Sequence, residues 1–66
     1  MEIKAKFKGK DGSLNYQNGF NYKLRFTIEN TLEGNRVKIK CLSHPQCEPC
    51  LYNSLKLFLN NWQVLD

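Results

Sequence analysis

The sequence predicts a mainly β domain with one short helix, in the order β-β-β-β-α-β, and three observations carry that reading. Three stretches alternate apolar and polar side chains with a period of two. Dipeptides that tolerate positive φ stand between them, and the spacing of apolar residues becomes helical only near the end. Sixty-six residues suffice for one thin core, so residues 1–66 are expected to form a single small domain with no wide cleft.

In Glu2 to Lys8, Ile3, Ala5 and Phe7 alternate with Lys4, Lys6 and Lys8. In Tyr22 to Ile28, Tyr22, Leu24, Phe26 and Ile28 alternate with Lys23, Arg25 and Thr27. In Arg36 to Cys41, Val37, Ile39 and Cys41 alternate with Arg36, Lys38 and Lys40. Each pattern is that of a strand with one buried face. The long connection Gly9 to Asn21 carries Asp11-Gly12 and Asn18-Gly19, and its Leu14, Tyr16 and Phe20 suggest a loop folded back on the core. Asn30 to Asn35 reads as a hairpin turn. Pro45 and Pro49 bar Ser43 to Pro49 from a central strand.

Leu55, Phe58, Leu59 and Trp62 then fall on one helical stripe, with Asn53 or Ser54 as N-cap. A helix of two turns is unstable alone and needs its stripe packed on the sheet. Leu51-Tyr52 before it and Gln63-Val64-Leu65 after it read as short strands. A long first loop and a short helix before the last strand match a small SH3-like barrel. The alternative is an open antiparallel sheet with the helix packed on one face.

The charge is segregated. Lys4, Lys6, Lys8, Lys23, Arg25, Arg36, Lys38 and Lys40, eight of the ten basic residues, share the polar parity of the three strands, against Glu2 and Glu29 alone. These cations fall within a Debye length of one another, and such a surface gains free energy by collecting phosphate and releasing counterions. Solvent faces of antiparallel sheets are polar in any case, and in a barrel the cations spread around the outside. Tyr16, Phe20 and Tyr52 stand outside the alternation and offer either core caps or stacking platforms for a base.

Cys41, His44, Cys47 and Cys50 follow one another at three-residue steps. Cys47-x-x-Cys50 has the spacing of a metal knuckle and Cys41-x-x-His44 would complete a tetrahedral zinc set. Against that, Cys41 has the inward parity of its strand; ordinary thiols are the plainer reading, and a Cys47–Cys50 redox pair is a third. No other cofactor is indicated.

No glycine-rich phosphate loop, paired carboxylates at helical spacing or serine elbow is present, and His44 lacks an orienting partner, so the sequence points away from an enzyme. The alternating start lacks the apolar block of a signal peptide, which suggests an intact cytoplasmic chain without a membrane partner.

Two segments carry a resemblance. Phe7-Lys8-Gly9-Lys10-Asp11-Gly12-Ser13, with Tyr16, Gly19 and Tyr22-Lys23-Leu24, and then Tyr52-Asn53-Ser54-Leu55, Phe58-Leu59 and Asn61-Trp62, resemble very small uncharacterised proteins of phages and prophages of Gram-positive bacteria. The resemblance covers both ends of the chain and excludes the cysteine segment. It implies a phage accessory protein in the cytoplasm of the infected bacterial host, with no defined activity. Such a protein would be a non-enzymatic binder, countering a bacterial defence by sequestering an anionic, cyclic-dinucleotide-like signal or by blocking a host protein. A chain this small encloses a ligand best between subunits, which suggests a homo-oligomer. The alternative is an SH3-like module that binds nucleic acid through the same cations.

Overall fold

The computed structural model describes residues 1–65. Its strands are β1 (Glu2–Phe7), β2 (Asn21–Thr31), β3 (Gly34–Cys41), β4 (Cys50–Tyr52) and β5 (Trp62–Val64), with one α-helix, α1 (Leu55–Asn61), between the last two. All pair antiparallel in one sheet of order β4-β3-β2-β1-β5, curled into a half-barrel with α1 against its inner side. This is the mainly β architecture that the alternation predicts, in the expected chain order.

The parity of each strand sets its inner face. Ala5 and Phe7 of β1, Tyr22, Leu24 and Phe26 of β2, and Val37, Ile39 and Cys41 of β3 are buried in one core with Tyr16, Cys47, Phe58 and Trp62. The register opposes Ala5 to Tyr22, Leu24 to Cys41 and Phe26 to Ile39, so apolar side chains meet across each ladder.

Local chemistry fixes the turns. Asp11 Oδ1 accepts the Asn18 N–H at 3.0 Å and the Asn18 amide donates to the Gly9 carbonyl at 3.0 Å, closing the first loop on itself. Gly12 and Gly19 take φ of 87° and 86°, the left-handed region that the two dipeptides suggested. The β2–β3 hairpin turns at Leu32 and Glu33, with Thr31 opposite Gly34. Both of its strands outrun their other neighbours: β1 reaches β2 only as far as Arg25, and β4 meets β3 only from Val37 onward. Its outer end is therefore a bare two-stranded ribbon.

Of the two N-cap candidates Ser54 is the one used; its hydroxyl accepts the Leu57 N–H at 3.2 Å. The last strand begins one residue earlier than the spacing suggests, because Trp62 already takes extended backbone angles, φ −137° and ψ 140°. The helical stripe is half packed. Phe58 and Trp62 are buried, while Leu55 and Leu59 stay exposed.

The sheet does not close through its backbone. Among the described residues β4 and β5 share no ladder, and the gap is spanned by α1 and by a bond from the Trp62 indole N–H to the Tyr52 hydroxyl.

Candidate anion-binding face

Inward parity on one side places the basic residues on the other. The register converts the three polar rows into a continuous path: Lys6 to Lys4 along β1, across to Lys23, along β2 to Arg25, across to Lys40, and along β3 to Lys38 and Arg36. Each step is about 7 Å along a strand or about 5 Å across a ladder, so neighbouring cations repel unless an anion lies among them. Lys8 falls one residue past β1, where its N–H donates to the Asn61 carbonyl at 2.7 Å, and it stands beyond this path.

Three carboxylates border the path, of which Glu29 stands opposite Arg36 and Glu2 opposite Arg25 in the register. Glu2 Oε1 lies 3.4 Å from Lys23 Nζ, and Glu33 Oε2 lies 3.9 Å from Arg36 Nη2; both pairs are exposed and weak. Among the described residues Lys4, Lys6, Arg25, Lys38 and Lys40 form no ion pair. The face is the convex side of the half-barrel. It carries a shallow depression of about 430 Å³ lined by Glu2, Ile3, Lys4 and Lys23, where Lys4 and Lys23 stand directly opposite each other.

The expected stacking platforms are core residues. Tyr16 is buried among Phe7, Tyr22 and Trp62, with ring centroids 5.1 to 5.5 Å away, and its hydroxyl donates to the Glu48 carbonyl at 3.0 Å. Burial, and then the nearby cysteines, raise its phenol above the ordinary value. Tyr52 is half-buried against Phe58 and occupied by the Trp62 indole; burial pushes its phenol up to about 12. Tyr16 is enclosed, and Tyr52 lies on the inner side of the sheet, opposite the buried Val37 and away from the basic face. Long-range hydrogen bonds decided this, and no local pattern encodes them. Phe20 is the exposed aromatic of the three; its carbonyl accepts the Phe7 N–H at 3.0 Å, and it precedes Asn21, which pairs with Lys6.

The cysteine segment is a structural loop. Cys41, Cys47 and Cys50 are free thiols, and they do not converge with His44: among the described residues no three His, Cys, Asp or Glu side chains gather to hold a metal ion. Strand parity turns Cys41 into the core. Cys47 is held there by its thiol, which donates to the Asn15 carbonyl at 3.3 Å, and burial raises its pKa. His44 packs edge-on against Tyr22, centroids 4.8 Å apart, with Nδ1 2.8 Å from Ser43 Oγ. Cys50 opens β4, half-buried.

This loop instead fastens the first loop. The Asn15 amide donates to the Gln46 carbonyl at 2.8 Å, the Glu48 N–H donates to the Leu14 carbonyl at 3.0 Å, and the Tyr16 hydroxyl bond completes the seam. These bonds offset a backbone cost, since Leu14 sits at φ 50°, a left-handed conformation unusual for leucine. Asp11, Gly12 and Gly19 serve as turn residues, and Phe7, Tyr16, Tyr22, Phe58 and Trp62 as core residues.

Among the described residues no helix is long and apolar enough to cross a membrane. No family model, no curated protein and no solved structure matches this chain.

Proposed function

We propose that this chain is a non-enzymatic binding protein that takes the phosphate backbone of a nucleic acid along the path from Lys6 to Arg36. The observation that supports this most directly is the register, which strings seven cations across three strands with two weak ion pairs among them. A convex surface suits an extended polyanion better than a small ligand, which needs walls. Phe20 at one end adds a ring on which an unpaired base can stack.

A second reading keeps the same cations and shortens the ligand. The opposed Lys4 and Lys23 and their shallow depression would receive an anionic nucleotide, as expected of a phage accessory protein that sequesters a host signal. Tyr16 is buried and Tyr52 lies on the inner side of the sheet, so neither stacks on it. Titration with a cyclic dinucleotide and with single-stranded and duplex oligomers, at two salt concentrations, separates the two. Affinity that grows with oligomer length and falls steeply with salt supports the nucleic-acid reading. Saturation by the dinucleotide, indifferent to oligomer length, supports the second. Binding to neither removes both and leaves a protein partner.

A further inference from the structure

The stripe of α1 does not finish its work within one chain. Leu55 and Leu59 flank the buried Phe58 and are each 45% exposed. They border a groove of about 240 Å³ whose other lining residues are Met1, Ile3, Phe26, Phe58 and Val64, with no charged side chain among them. Met1 is 77% and Val64 43% exposed, and Ile28, two residues past Phe26 on the same face of β2, is 49% exposed. Single exposed leucines are ordinary; a contiguous apolar strip along a helix and the sheet beside it marks a contact surface.

We infer that this groove is the interface of a two-fold homodimer, in which Leu55 and Leu59 of each chain enter the groove of the other. Charge placement selects the occupant. The chain carries a net charge of +4, so two copies repel wherever their cationic faces meet. The basic path lies on the convex side of the sheet and the groove on the concave side. Copies that join through the groove turn both basic faces outward, with two sheets and two helices between them, beyond a Debye length of about 10 Å. An acidic partner, in contrast, would be drawn to the many cations of the convex face and away from a groove whose one positive charge, the Met1 ammonium, already donates to the Phe26 carbonyl at 3.1 Å. A two-fold axis also satisfies both grooves at once, so the contact closes at two copies.

The inference does not depend on what the basic face binds. Sedimentation equilibrium of the full chain between about 1 and 200 µM is expected to give twice the chain mass of 7.8 kDa at the upper end. Leu59→Lys, at an exposed position, is expected to keep the circular dichroism of the parent and to weaken association at least tenfold. Leu57→Lys changes a leucine that is 44% exposed but lies outside the groove, and it is expected to leave the dimer intact. A parent that stays monomeric at 200 µM overturns the inference. So does a dimer that survives Leu59→Lys, or open-ended association that either substitution disperses equally.

Discussion

The indole N–H of Trp62 donates to the Tyr52 hydroxyl at 3.0 Å, so the first residue of β5 is bonded to the last residue of β4 across the sheet's open seam. Trp62 is buried, and its donor has no other partner among the described residues. Tyr52→Phe leaves that donor unsatisfied and is expected to cost about 1–3 kcal/mol of folding stability. Urea unfolding followed by Trp62 fluorescence measures it; a loss below about 0.5 kcal/mol would show that the seam is held by packing alone.

Alkaline pH is expected to destabilise the fold. Burial is the leading cause that raises Tyr16 and Tyr52 above the phenol value of 10.0, Tyr52 to about 12, and it also raises Cys47 above its ordinary 9.0. In each case the unfolded chain loses its proton first, so the folded state binds more protons and stability falls as pH rises. These groups contribute in full below pH 9; the fall begins there with Cys47 and steepens above pH 10 as the tyrosines join, approaching about 1.4 kcal/mol per pH unit for each buried group. Urea midpoints at pH 8, 10 and 11 test this, and a flat profile would contradict it.

Substitutions on the basic face are expected to separate phosphate contacts from stacking. Lys38→Ala and Lys40→Ala should each weaken duplex and single-stranded oligomers alike and reduce the slope of log K against log salt by about 1. Phe20→Ala should weaken single strands by about 1–3 kcal/mol while sparing duplex. Fluorescence anisotropy at four salt concentrations reads both, and equal loss for the two oligomer types in Phe20→Ala would exclude stacking.

Two glycines are expected to fail for different reasons. A Cβ on Gly9 would lie 2.5 Å from Phe7 Cζ and 2.9 Å from Asn61 Oδ1, so Gly9→Ala should cost about 1–3 kcal/mol by displacing a packed ring. Gly12 has open space around it but sits at φ +87°, so Gly12→Ala should cost about 1 kcal/mol through the backbone alone. Thermal melts of the two variants compare them directly; equal values would mean that Phe7 yields without strain.

The strands were legible because their chemistry is periodic. Parity alone placed Ala5, Leu24, Phe26, Val37 and Ile39 inside and the lysines outside. It did not show how far β2 runs, since Glu29 to Thr31 lack alternation and are carried by pairing with β3. The loop that folds back on the core buries Tyr16 as its pattern suggested but leaves Leu14 and Phe20 exposed, and the hydrogen bonds of Tyr16, Tyr52 and Cys47 were hidden because each partner is 10 to 32 residues away. Helical spacing marked Leu55 and Leu59 as apolar but could not say that the half-barrel is too small to cover them.

The bare ribbon from Glu29 to Arg36 is free of the core, with Leu32 fully exposed at its tip. Its amide protons should exchange with solvent well before those of Leu24 or Ile39, because opening it breaks no buried contact. That makes the Leu32–Glu33 turn a convenient place to graft a fluorophore or an epitope: the graft would report on the molecule's encounters without disturbing how it folds.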